Sequence, residues 1–128
     1  VTPDPDESAA EIPFDGTVLL QAGALASVAP TRLGPLLRRV QADLGPRLGD
    51  YRREYERAVA EADREAFLVE PAHWDAVAAR LDLTDRERDA VERAHEAQLK
   101  RLGSVHGRRS ELESALEIRS AVVISTTD

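Results

Sequence analysis

The stretch Trp74–Gly103, WDAVAARLDLTDRERDAVERAHEAQLKRLG, decides the architecture. Trp74, Val77, Ala78 and Leu81 fall three and four apart, the apolar stripe of a short helix with Pro71 in its first turn. Asp82 and Leu83 make a turn. Thr84 and Glu87 then stand three apart, the spacing of a capping box, in which hydroxyl and carboxylate each accept from an otherwise unpaired backbone N–H. Val91, His95, Leu99 and Leu102 continue one stripe to Gly103, whose missing side chain suits a left-handed cap.

Working outward toward the N-terminus, Leu33, Leu36, Leu37, Val40 and Leu44 recur at helical spacing after Thr31, a capping residue, and the stripe continues through Leu48, Tyr51, Tyr55 and Val59. Gly45 and Pro46 interrupt it, which leaves one kinked helix or two helices with a corner. Arg52 with Glu56, and Arg57 with Glu61, pair at four-residue spacing on the outer face of the expected helix. Before it, Val18 to Val28 is apolar nearly all round, as in a short helix that is buried or packed against a partner, and Pro30 ends it. Residues 1–16, with three prolines and five carboxylates, read as a flexible acidic tail.

Toward the C-terminus, Ser104–Arg109 is a basic loop, and Ser110 with Glu113 repeats the capping pattern ahead of a last helix through Leu116. Phe67–Val69 is either a strand or the last buried turn of a helix, and Leu116–Ile124 alternates like a strand and ends in an apolar run. These patterns predict a mainly α chain, a compact bundle of five or six helices over residues 17–128, with a minor two-stranded pairing between Phe67–Val69 and Val122–Ile124.

At 128 residues the chain forms a single domain able to bury a core without help from a cofactor, and none is implied. Absence of cysteine excludes disulfides, thiolate catalysis and cysteine-based metal centres. Sixteen arginines stand against the single Lys100, and 24 acidic residues give a net charge of −7. Five of the acids and no base lie in residues 1–31. This Arg-rich, acidic composition resembles that of small conserved proteins of haloarchaea, and the resemblance implies a halophilic protein, while the missing membrane span and the acidic N-terminus lead to the expectation of a cytoplasmic one. No apolar run reaches the length of a membrane span, and the acidic N-terminus is unlike a signal peptide.

Three function classes follow. With no catalytic signature, no phosphate loop and three histidines scattered over different elements, the first expectation is a non-enzymatic protein-interaction or regulatory module. It is expected to act as a homodimer through Leu33, Leu37, Val40 and Leu44, because the helices at 17–29 and 33–59 offer more apolar surface than a short chain hides. The second rests on Ala76–Thr84, AVAARLDLT, which resembles the first helix and turn of helix-turn-helix regulators, and on an element order similar to part of a winged-helix domain. That resemblance implies a DNA contact through Arg86, Arg88, Arg93, Arg108 and Arg109, although acids at 85, 87, 89 and 92 offset the recognition face. The third is a ferritin-like metal site: Glu92 and His95 have the Glu-x-x-His spacing that projects both side chains into a bundle, with Glu54, Glu56 or Glu61 as further carboxylates. The plainer role for His95 is a hydrogen bond to a neighbour, and for Trp74, Tyr51 and Tyr55 the core.

Overall fold

In the computed structural model, which describes residues 12–126, the expected capping box is formed. Glu87 N–H donates to Thr84 Oγ1 at 3.1 Å, and Thr84 N–H donates to Glu87 Oε1 at 2.8 Å. Along the chain run α1 (Gly16–Ala26), α2 (Pro30–Leu44), a 3-10 turn (Gly45–Arg47), α3 (Leu48–Glu54), β1 (Glu56–Ala60), β2 (Arg64–Val69), α4 (His73–Leu81), α5 (Asp85–Val105), α6 (Arg109–Ala115) and β3 (Ser120–Ser125). The architecture is mainly helical around a small antiparallel sheet of three strands, not two, in the order β1-β2-β3.

Turn chemistry shifts several boundaries. Asp82 takes φ +56 between α4 and α5, a left-handed position that Asp tolerates through local hydrogen bonding. Gly103 does not end α5. The helix continues to Val105 and the left-handed residue is Gly107, at φ +69. Gly103 serves close packing instead, since a Cβ there would lie 3.1 Å from Leu112 Cδ1 and 3.2 Å from Arg109 Cα. Pro30 begins α2 rather than ending α1, which closes on Ser27 at φ +58. Ser110 caps nothing, because α6 already starts at Arg109.

The long stripe from Leu33 divides at Gly45–Arg47, and its end is not helical. Glu56–Ala60 is a strand, paired with β2 from Glu56↔Leu68 to Ala60↔Glu65 with a bulge between Arg57 and Val59. The expected i,i+4 pairs are therefore replaced by cross-element ones: Arg52 and Arg57 both bond Glu65, Glu56 bonds Arg119, and Glu61 bonds Arg64 and His106. Non-local ladder pairing overrides a local charge pattern worth only tenths of a kcal/mol per pair. The expected pairing of Phe67–Val69 with the C-terminal run is present, with Phe67↔Val122 and Val69↔Ser120.

β3 is an edge strand buried throughout residues 120–124, so its outward backbone groups need partners other than water. Three helices supply them. Trp74 Nε1 of α4 donates to the Ala121 carbonyl at 3.2 Å, and Val123 N–H donates to His95 Nδ1 of α5 at 2.8 Å. From α2, Gln41 Nε2 donates to the Val123 carbonyl at 2.7 Å, while its Oε1 accepts from Ser125 N–H at 3.0 Å. This explains why a glutamine, a histidine and an indole N–H sit in the core.

The expected tail is corrected over residues 12–16. Ile12 and Phe14 are buried in the core, and Asp15 is clasped by Gln98: Asp15 N–H donates to Gln98 Oε1 at 2.8 Å, and Gln98 Nε2 donates to Asp15 Oδ2 at 3.1 Å. The remainder of that tail lies outside the described residues.

Candidate interaction surface

The residues named from sequence for a dimer interface are not available to one. Leu33, Leu37, Val40 and Leu44 are each 0% exposed within a single chain, because α2 turns that stripe onto the sheet and α5 instead of a second molecule.

The five arginines named for DNA do not form one face. Arg86 is exposed in the first turn of α5, whereas Arg108 and Arg109 lie beyond its far end, roughly 30 Å away along a 21-residue helix. Arg88 is clamped between Asp75 and Glu92, Arg93 bonds Asp89, Arg108 bonds Glu111 and the Ala58 carbonyl, and Arg109 bonds Glu113.

Glu92 and His95 are likewise committed elsewhere. Glu92 accepts from Arg88 and from Ser120 Oγ. His95 has its Nδ1 occupied by Val123 N–H, leaving the ring proton on Nε2, which is buried with no hydrogen-bond partner among the described residues, beside the rings of Phe14 and Trp74. Burial holds its imidazole neutral, with a pKa lowered to about 3. The metal carboxylates named from sequence are also dispersed: Glu56 and Glu61 pair with Arg119 and Arg64, and among the described residues no group of three or more His, Asp or Glu is placed to hold a metal.

The second polar cluster surrounds His73, where α3 meets α4. Tyr51 hydroxyl lies 2.6 Å from Nε2 and Tyr55 hydroxyl 3.5 Å from Nδ1, so a neutral ring accepts from one and donates to the other. Burial pushes the Tyr51 phenol up and the His73 imidazole down, which keeps both uncharged. Asp43, held below the usual carboxylate range by the Arg80 guanidinium, lies alongside. The cleft lined by Tyr51, Tyr55, His73 and Arg80 with Asp50 and Glu54 is about 140 Å³, smaller than the roughly 300 Å³ at which small-molecule sites begin. Its aromatic rings contact one another and Phe67, so the cluster serves the fold.

What remains is α1. Its eleven residues, GTVLLQAGALA, contain no charged side chain, on a chain with 41 charged residues (17 basic and 24 acidic). Val18, Ala22 and Ala26 are buried toward the core, and Thr17, Leu20, Gln21, Ala24 and Leu25 form the opposite, exposed stripe at i, i+3, i+4, i+7 and i+8. Leu20 is 61% and Leu25 64% exposed. The other large exposed apolar residues among those described, Val105 at the end of α5 and Ile118 in the turn before β3, stand apart from it. Beside this stripe α1 packs on α5, and a groove of about 330 Å³ opens between them, lined by Val18, Leu25, Ala97, Arg93, Lys100 and Arg101 among others.

The apolar character of this helix was legible in sequence, as a segment buried or packed against a partner; which face stays open was not, because the packing of α1 on α5 is a long-range contact. A family model described as Domain of unknown function (DUF8048) matches residues 12–126. No curated protein and no solved structure matches the chain. Among the described residues no helix is long and apolar enough to cross a membrane.

Proposed function

We propose that this chain, which belongs to the DUF8048 family, is a non-enzymatic protein-interaction module whose contact surface is the outward stripe of α1 with the adjoining groove. One observation carries this reading: a surface helix with no charged residue exposes Leu20 and Leu25 on the same side, an arrangement that stabilises neither the isolated fold nor its solubility and gains free energy only when covered. Supporting it, His73 is bonded to Tyr51 and Tyr55, and Glu92 to Arg88 and Ser120, within the fold.

The test compares the full chain with the double variant Leu20→Asp, Leu25→Asp. Both side chains point outward, so helicity and thermal stability are expected to persist while a stoichiometric protein partner recovered from cells is lost. Recovery of the same partner by the double variant overturns the reading. Self-association is a second reading, favoured because a stripe without charge is complementary to itself across a two-fold axis. Sedimentation equilibrium then shows a wild-type dimer and a monomeric double variant.

A further inference from the structure

The groove beside α1 has a lining richer in cations than the acidic chain as a whole. Its lining holds four cations, Arg93, Lys100, Arg101 and Arg109, against one carboxyl, Glu96, on a chain with 24 acids and 17 bases. Arg93, Lys100 and Arg101 fall with Ala97 at i, i+7, i+8 and i+4 on α5, and Thr17, Gln21 and Leu25 repeat at every fourth residue on α1. The lining therefore follows both helix axes for roughly 12 Å, about two turns.

The cations are only partly used by the fold. Arg93 and Arg101 each bond a carboxylate through Nε, to Asp89 and Asp15, and no bond to their Nη groups is formed among the described residues. Arg109 bonds Glu113 through Nε and Ser104 through Nη1. Lys100 forms no ion pair among the described residues.

The one groove carboxyl is turned away from this role. Glu96 Oε2 lies 2.8 Å from Ser120 Oγ, and Glu92 Oε2 lies 2.9 Å from the same hydroxyl. A hydroxyl donates one proton, so the two carboxyls share it. Glu92 also accepts from Arg88 Nη1 at 2.8 Å. Burial raises the pKa of the Glu96 carboxyl, whose Oε2 is committed to Ser120 of β3.

We infer that the α1–α5 groove receives an acidic amphipathic helix of a partner protein. Its leucine-type anchors cover Leu20, Ala24, Leu25 and Ala97, and its carboxylates meet Arg93, Lys100 and Arg101. This inference rests on the interaction reading above and names the chemistry of the partner. Helix-in-groove recognition uses apolar anchors at i, i+3 and i+4 for affinity and flanking charge for orientation and rate.

The test is selection of a displayed library of random peptides of about four helical turns against the immobilised full chain. Selected peptides are expected to alternate leucine-type and acidic residues at helical spacing and to bind more weakly at high salt. They are expected to lose about tenfold or more in affinity for Arg93→Glu, Lys100→Glu, with Lys100→Met intermediate; circular dichroism checks that the variants fold. Peptides without an acidic excess that are still lost on Leu20→Asp, Leu25→Asp overturn the acidic partner and leave the interaction surface standing. Peptides indifferent to Leu20→Asp, Leu25→Asp overturn both. Failure to enrich any peptide, or duplex DNA competing through the same cations, also overturns the inference.

Discussion

Replacing Gln41 by leucine removes two of the bonds that close the outer edge of β3. The Val123 carbonyl, bonded at 2.7 Å, and the Ser125 amide, bonded at 3.0 Å, both lose their Gln41 partner. A buried backbone group deprived of its bond costs about 1–3 kcal/mol, and loss of a neutral hydrogen bond at the less buried amide about 0.5–1.5 kcal/mol. Leucine at a site only 8% exposed returns about 1 kcal/mol of apolar burial. The net expectation is a loss of about 2 kcal/mol, which lowers Tm by about 8 °C in a domain of this size. Urea unfolding gives the free energy, and native-state hydrogen exchange gives the location. The Ser125 amide should exchange faster by more than the global loss of stability accounts for, whereas the Val123 amide, held by His95, should follow the global change alone. A loss below about 0.5 kcal/mol, or equal acceleration at both amides, refutes the idea that side chains from the helices carry this edge.

Three further predictions concern the fold. As pH falls below about 6.5 the unfolded chain takes up a proton that folded His95, with a pKa lowered to about 3 by burial and secondarily by His73, refuses. Stability is therefore lost by up to about 1.4 kcal/mol per pH unit, His73 adding to the slope because burial lowers it too, and His95→Gln should show a shallower slope in urea titrations at mildly acidic pH. Thr84→Ala should cost about 1 kcal/mol, read by thermal unfolding, through loss of the N-cap bond to Glu87 N–H. Gly103→Ala should destabilise the chain even though alanine favours a helix by about 1 kcal/mol, since the added carbon meets Arg109 backbone at 3.2 Å; a raised Tm would show that α6 yields there.

Local chemistry in this chain is readable and long-range closure is not. The Thr84–Glu87 box, the α4–α5 turn and the Trp74 anchor depend on residues within a few positions of each other, and each stands in the structure as expected. Glu56–Ala60 looks helical because Arg52, Glu56, Arg57 and Glu61 have helical spacing, but β2 offers it a ladder that no neighbouring residue announces. The roles of Gln41, Trp74 and His95 depend on a strand that lies 28–84 residues further along the chain. His95 shows the cost of reading spacing alone: Glu-x-x-His suggests a ligand pair, whereas the imidazole is an acceptor for one backbone amide. The stripe from Leu33 to Leu44 suggested an interface for the same reason, and the sheet and α5 cover it. For the α1 surface, the missing charges were legible and the exposed direction was not.

The most direct test of the interaction surface places a photo-crosslinking amino acid at Leu25 in the full chain inside cells, with Val105 and Ile118 as comparison sites. All three side chains are at least 64% exposed, so accessibility alone does not distinguish them. A discrete protein adduct at Leu25, absent from Val105 and Ile118, is the predicted result. Adducts at Val105 or Ile118 with none at Leu25 would contradict it.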